Sequence, residues 1–362
     1  MKKILNVVSS LDSGGVETML YNYYSNFKNN ELIFDFAVYA KEEGMIEKKL
    51  IERGAKIYHI TPRKKSVFRN LYDLFLVVKN GNYDAVYSHM NFYSWIALFY
   101  AKIFSVKTRI AHSHGIAPEK ISFGKRIKNV INRMAIKLFA TNFFACSNEA
   151  GEYLYGKHWN EKNEKYLIIK NAIDISKFAY DEEIRKKYRK EYKIGDRICL
   201  LHIGRFAPEK NHKFLMDIIN QLDSNKFVLV CVGDGKELIR YMSEYKNDSI
   251  IFTGKRSDIE AFYSMGDIFL LPSLHEGLGI VLIEAQVSGL RCIASTNVPN
   301  EAKLTNNVTF LPLEAEQWIE EIKNQTLYKR NCEVNIITDK GYNIKKESEK
   351  FEDMLCELIK NK

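Results

Sequence analysis

Two carboxylates, Glu276 and Glu284, stand eight residues apart in the stretch Pro272-Ser273-Leu274-His275-Glu276-Gly277-Leu278-Gly279-Ile280-Val281-Leu282-Ile283-Glu284-Ala285. Carboxylate pairs that share acid, base or nucleophile work on a glycoside sit about 5–5.5 Å apart in retaining hydrolases. Eight residues of helix would separate this pair by roughly 12 Å at ~1.5 Å per residue, which suits the two ends of one elongated ligand instead. A carboxylate accepts hydrogen bonds from both hydroxyls of a ribose, as the acidic residue of dinucleotide sites does. Gly277 and Gly279 permit a tight loop, and the spacing predicts a helix beginning near Gly279. The free N–H groups at such a helix start, with its dipole, suit an anion such as phosphate.

The elements that must hold these groups follow from hydrophobic periodicity. Short β-branched runs at Ile4–Ser9, Phe34–Tyr39, Lys56–Ile60, Ala85–His89, Thr108–His112, Asn142–Ala145 and Lys165–Ile169 alternate with stretches of helical period such as Val16–Phe27 and Ser66–Val78. The rhythm breaks near Asn171–Phe178, passes through the charged segment Asp181–Lys193 and restarts, which reads as a linker near 171–195. The later runs are Ile198–Ile203, Phe227–Val232, Ile250–Phe252, Ile268–Leu271 and Arg291–Ala294. This alternation predicts an α/β protein of two Rossmann-like domains, residues 1–172 and 173–340, with a helix in 341–362 crossing back to the first. Ligands of open parallel sheets bind beyond the carboxyl ends of the strands, so two such edges would face each other across a cleft.

Other chemistry-bearing groups fall at those strand ends. They are Gly204-Arg205 and Glu209-Lys210-Asn211, Val232-Gly233-Asp234-Gly235, Phe252-Thr253-Gly254 and Asn171-Ala172-Ile173-Asp174. In the first half they are Gly14-Gly15-Val16-Glu17 and His112-Ser113-His114-Gly115. Together with Glu276-x7-Glu284, these pieces resemble, in order and over residues 1–312, the retaining glycosyltransferases of family 4 with the GT-B fold. The stretches His112–Gly115, Phe144–Gly151 and Glu276–Gly289 resemble members that build capsular, exopolysaccharide or O-antigen units.

The resemblance implies a retaining hexosyltransferase that moves a sugar from a nucleotide-sugar donor, UDP being the family's commonest nucleotide, to a glycan or lipid-diphosphate-linked saccharide. The first domain would take the acceptor and the second the donor. Glu284 would hold the ribose and Glu276 the transferred sugar, with backbone amides at Leu278, Gly279 and Ile280. Arg205 and Lys210 would neutralise the departing diphosphate, aided by Gly14 and Gly15 at the first helix start. His114 would reach the sugar's hydroxyls or the reacting centre, His89 would line the acceptor pocket, and His112, deeper in its strand, reads as structural. Asp174 reads as a turn or cap residue. No D-x-D triplet occurs, so neither a catalytic metal nor a cofactor is expected beyond the nucleotide-sugar co-substrate. Competing readings are a sugar-nucleotide epimerase of the same fold and a catalytically silent scaffold subunit.

Composition narrows the partners. Residues 1–180 carry 27 Lys and Arg against 16 Asp and Glu, whereas residues 181–362 carry 27 against 29. A basic first half suggests an anionic partner. No nucleic-acid motif accompanies it. Lys120–Lys137 interleaves cations with apolar residues at helical spacing, which reads either as a helix lying on an anionic membrane or as a core helix with a solvated face. The cluster Arg63-Lys64-Lys65 with Arg69 favours the former. The N-terminal apolar run is too short for a signal peptide and Trp95–Phe104 too short for a span. Six scattered cysteines read as reduced thiols. The expectation is a cytoplasmic protein, peripheral on the inner membrane face.

Overall fold

The structure, a computed structural model, describes all residues except 13, 30, 116–121, 160–162, 325–328 and 361–362. It divides into two compact units, Met1–Ile173 with Asn343–Lys362, and Asp174–Tyr342.

Unit 1 holds strands β1 (Lys2–Val8), β2 (Leu32–Val38), β3 (Ile57–His59), β4 (Ala85–Ser88), β5 (Thr108–Ser113), β6 (Asn142–Ala145) and β7 (Tyr166–Ile168), all parallel in the order β3-β2-β1-β4-β5-β6-β7. Its strands are almost continuously apolar because helices cover both faces. Ile4, Phe34, Phe36 and Tyr87 bury on one face, and Leu5, Val7, Ala37 and Val86 on the other. The last helix, Ile344–Lys360, belongs to this unit: Phe351 meets Tyr23 edge-on at 4.9 Å, and Leu355 is fully buried. Buried Glu352 is satisfied by accepting from the Lys28 and Asn29 N–H groups at 2.8 and 3.1 Å, which ties the chain's end to the loop after helix Gly15–Ser25.

Unit 2 holds β8 (Ile198–Ile203), β9 (Phe227–Val232), β10 (Ile250–Gly254), β11 (Ile268–Leu271), β12 (Arg291–Ser295) and β13 (Val308–Leu311), parallel in the order β10-β9-β8-β11-β12-β13. The charged segment expected as a linker is instead the helix Glu182–Glu191 of this unit. It has no buried residue, so periodicity could not reveal its packing. Its hold is polar: Arg185 and Arg189 pair with Asp267 at 2.6 and 2.9 Å.

The order in which strands are added reverses once in each sheet, between β1 and β4 in unit 1 and between β8 and β11 in unit 2. Loops leaving adjacent strands there run to opposite faces, which opens a crevice at each switch point. The loops after β1, β4, β8 and β11 carry Gly14, His89, Lys210 and Glu276.

Candidate functional site

In unit 2 the loop after β8 is fixed by its neighbour after β9. The Gly204 N–H donates to Val232 O at 3.0 Å and the Phe206 N–H to Asp234 O at 2.8 Å. A Cβ on Gly233 would stand 2.0 Å from Gly204 O, and one on Gly235 2.3 Å from Phe206 O. Both glycines also have positive φ (147° and 156°), so backbone lies directly on backbone and no side chain fits between. This places Arg205 at the strand end, exposed, with its guanidinium 2.9 Å from Glu209 Oε1.

The next turn, Pro208–Lys210, ends at Asn211 in the left-handed region (φ 54°), which asparagine tolerates. Asn211 Nδ2 donates to Pro272 O at 3.2 Å, and the Leu274 N–H to Glu209 O at 2.8 Å. The loops after β8 and β11 are thereby stitched together, and Lys210 Nζ donates to Glu276 Oε1. Ser273 Oγ donates to the same oxygen at 2.7 Å. Glu276 is buried and the Lys210 side chain is 18% exposed.

Gly279, at φ 76°, opens the helix Ile280–Val287, and no side chain caps that start. Its first N–H groups are left for a ligand, and the dipole favours an anion. Glu284, one to two turns on, accepts from Tyr263 Oη at 2.7 Å and is 8% exposed. Burial pushes its carboxyl up to about 7, against the opposing Tyr263 hydrogen bond and the nearby Lys177 charge. Gln286 on the same helix is structural. It donates to Leu282 O and Ala302 O and accepts from the Leu304 and Thr305 N–H groups, anchoring the chain before β13.

In unit 1, Gly14 precedes the helix Gly15–Ser25, again without a side-chain cap. Glu17 curls back beneath it, accepting from Ser10 Oγ at 2.8 Å, and a Cβ on Gly14 would lie 2.3 Å from Glu17 Oε2. A Cβ on Gly15 would meet nothing within 4 Å, so its backbone borders open space. Asp174, in unit 2, caps the short helix Ile175–Phe178 by accepting from the Ser176 N–H at 3.0 Å.

His89, His112 and His114 meet at the adjacent ends of β4 and β5, a constellation that one-dimensional spacing does not reveal. His112 is fully buried, His89 is 6% exposed and His114 is half-buried. Burial drives all three below the ordinary histidine range, His114 to about 3, so all three are neutral at pH 7. Both ring nitrogens of His89 are engaged, Nδ1 with His114 Nε2 at 2.9 Å and Nε2 with Asn6 Oδ1 at 3.4 Å. That leaves His89 no nitrogen for an acceptor substrate.

The three rings offer ligand atoms within 4.8 Å of one another, a possible cation site. Rings sharing one ion radiate from it, which at Zn–N ~2.1 Å keeps their centroids about 5 Å apart. His112 and His114 instead lie side by side at 3.9 Å, tilted 32°. The arrangement fits hydrogen bonding among neutral rings better than coordination.

Comparison with known proteins gives the family and the fold. The model described as "Glycosyltransferase Family 4" matches residues 13–177 and that described as "Glycosyl transferases group 1" matches 197–326. EpsF of Bacillus subtilis, named as a glycosyltransferase, is 29% identical over 309 residues, covering 82% of this chain and 80% of its own. The UDP-Gal:alpha-D-GlcNAc-diphosphoundecaprenol alpha-1,3-galactosyltransferase of Escherichia coli is 25% identical over 377 residues, covering 96% and 95%. The crystal structure of Anabaena Alr3699/HepE with UDP-glucose superposes with a TM-score of 0.74 at 18% identity, over 100% of this chain and 98% of the other. The fold is GT-B, and the two family matches together span most of the chain. The chain belongs to the group 1 glycosyltransferases of family 4.

Proposed function

We propose that this glycosyltransferase moves a sugar from a UDP-sugar to a saccharide carried on a lipid diphosphate, retaining the anomeric configuration and using no catalytic metal. The observation that carries this reading is the Lys210–Glu276 pair beside an uncapped helix start at the switch point of unit 2. A diphosphate leaving from there gains negative charge. Lys210 and the free N–H groups at Gly279–Ile280 would meet that charge from fixed positions, and Arg205 would turn to it from its exposed contact with Glu209. Glu284 would take the ribose diol, and Gly14-Gly15 and His114 of unit 1 would serve the diphosphate and the sugar. Glu276, with Oε1 held by Lys210 and Ser273, is an acceptor for sugar hydroxyls and a poor nucleophile. Retention would then come from attack on the face the diphosphate leaves, through a short-lived oxocarbenium-like species.

The uridine nucleotide and the lipid-linked acceptor are supported by the relatives' own substrates, since the Escherichia coli enzyme is named for UDP-Gal and a diphosphoundecaprenol acceptor. The direct test pairs a panel of UDP-sugars with a GlcNAc-diphosphate-polyprenol and follows UDP release and product linkage. Absence of acceptor-dependent UDP release across the panel would reject the assignment. Transfer is expected to persist in excess EDTA. Abolition by EDTA with recovery on adding magnesium or manganese would reject the metal-free reading.

We further propose that unit 1 rests on an anionic membrane at the cytoplasmic face. No helix among the described residues is long and apolar enough to cross one. In the helix Phe123–Phe139 only Asn132 and Ile136 are buried, while Phe123, Ile127, Val130, Ile131, Met134 and Leu138 face outward, 48–78% exposed. Lys125, Arg126, Lys128 and Lys137 stand exposed among them. Arg133 is set apart from these cations, since its guanidinium donates to Tyr153 O and Leu154 O inside the unit. Lys120 lies outside the described residues.

The patch continues onto a second helix, where Val67 and Phe68 are 53% and 88% exposed. Tyr93 lies between Lys128 of the first helix, 5.3 Å from its ring, and Arg63 in the loop before the second, 4.5 Å from it. A core helix with a merely solvated face would bury that apolar stripe. Each cation near an anionic surface contributes about 1 kcal/mol, attenuated beyond a Debye length. Co-sedimentation with anionic vesicles is expected at low salt, with release at high salt. Changing Lys125, Arg126, Lys128 and Lys137 to Gln together with Phe123 and Met134 to Ser is expected to abolish it. Undiminished binding by that variant would reject the docking face.

A further inference from the structure

We infer that Asn6 and His89 are positioning residues that hold His114 in one tautomer, with a proton on Nε2 and a bare, hydrogen-bond-accepting Nδ1. The inference rests on the reading of His114 as the group that meets a substrate hydroxyl.

The chain of protons starts at Asn6, whose orientation is set by the backbone. Asn6 Nδ2 donates to Asp35 O at 3.4 Å, so its carbonyl oxygen is the atom turned to His89. His89 Nε2, facing a carbonyl oxygen at 3.4 Å, must carry the hydrogen. A neutral imidazole has only one N–H, so His89 Nδ1 is a lone pair. That lone pair faces His114 Nε2 at 2.9 Å, and His114 Nε2–H therefore donates to it. His114, also neutral, is left with Nδ1 bare and without a protein partner among the described residues.

The surroundings hold this arrangement in place. Parallel registry sets Asn6 beside Tyr87 and Ser88 beside Ala111, which brings the ends of β1, β4 and β5 into line. The His114 N–H donates to Asn91 Oδ1 at 3.1 Å, fixing its backbone. The His112 ring lies 3.9 Å from the His114 ring, tilted 32° to it, and is itself held through Nδ1 by Tyr87 Oη at 2.5 Å. Protonating any one ring would place a charge in a buried site beside two other imidazoles, which burial disfavours.

The chemical consequence is a selectivity. A bare Nδ1 accepts from a hydroxyl, so the ligand His114 takes is a neutral sugar whose hydroxyl donates. A carboxylate at that position, as in a uronic acid, would bring lone pair against lone pair. The same logic gives His89 a defined role, because its replacement frees His114 to sit in either tautomer, only one of which accepts.

Long-range 15N–1H correlation on histidine-labelled protein reads the tautomer directly and needs no substrate. At pH 7, with the His114 ring assigned by its loss in His114→Gln, His114 should be protonated at Nε2 alone. A ring protonated at Nδ1, or at both nitrogens, overturns the proposal. So does one equivalent of zinc in the purified protein that is lost in His89→Leu. His89→Leu is expected to give a mixed His114 tautomer and a drop on the order of tenfold in kcat/KM, the scale of one neutral hydrogen bond. His89→Asn, which can return a carbonyl oxygen near the Nδ1 position, should restore both the tautomer and most of the rate. Failure of His89→Asn to restore the tautomer in a folded protein also overturns the proposal. If the tautomer is as stated but His114→Gln keeps full activity, the reading of His114 as a substrate-facing group fails and the Asn6–His89 assignment stands.

Discussion

Lys210→Ala is expected to lower kcat on the order of 10²–10³-fold, the scale of removing one preorganised charge-stabilising donor from a dry site. Lys210 is held in place by both switch-point loops of unit 2. The loops after β8 and β11 exchange backbone and side-chain hydrogen bonds around it, and Glu276, which also accepts from Ser273 Oγ, receives its ammonium. Arg205 is 73% exposed and holds only Glu209, so Arg205→Ala should cost less. Removing Lys210 also strands a buried carboxylate, and breaking such a pair from one side costs about 3–5 kcal/mol when it is fully buried. Lys210→Ala should therefore melt at lower temperature than the parent. Adding Glu276→Gln to it should return much of that stability and none of the rate. Turnover within threefold of the parent in a folded Lys210→Ala protein would remove Lys210 from the transition state.

The strands β1 to β12 were legible as short apolar runs closed by a turn signal, whereas β13 (Val308–Leu311) was not read, and strand ends are where switch-point chemistry must lie. Glu276, Glu284 and Lys210 were singled out for that reason, and the structure places Lys210 against Glu276. The histidine cluster was not, because it is assembled from three strands: Asn6 reads in one dimension as one more strand residue, and only parallel registry brings it to His89. The basic helix shows the complementary difficulty. Periodicity reported an apolar stripe on Phe123–Phe139 without saying which way it faced. The helix Ser94–Ile103 packs beside it, with Trp95 Nε1 donating to Asn132 Oδ1 at 3.0 Å and Phe99 meeting Phe139 at 5.1 Å. Only the Asn132–Ile136 side is claimed inward, and the longer apolar stripe is left outside. Helix Glu182–Glu191 escaped detection for the opposite reason, since ion pairs and the edge-on contact of Tyr188 with Phe262, rather than a buried apolar stripe, attach it.

Glu284 ties the proposed site to pH. Its carboxyl titrates near 4.5 in an unfolded chain and is raised to about 7 by burial in the folded one. Between those values the unfolded chain releases a proton that the folded chain keeps. The stability this group contributes is therefore full below pH 4.5 and lost as pH rises through 7, a swing on the order of 3 kcal/mol. Nucleotide binding runs the other way. A ribose diol donates two hydrogen bonds to a carboxylate, so the donor favours the ionised form and should expel the proton on binding. Affinity for a UDP-sugar, whose diphosphate diester does not titrate in this range, is expected to rise about tenfold per pH unit between 5 and 7 and to level above 7. Glu284→Gln keeps the shape, removes the titration and exchanges charged hydrogen bonds for neutral ones. It should melt with a flatter pH dependence between 5 and 8, yet bind the donor roughly 10–100-fold more weakly at pH 8. Calorimetry at pH 6 and 8, repeated in buffers of different ionisation enthalpy, counts the released proton. If the parent binds equally well at both pH values and Glu284→Gln matches it, the ribose is held elsewhere and the buried carboxylate serves only its contact with Tyr263.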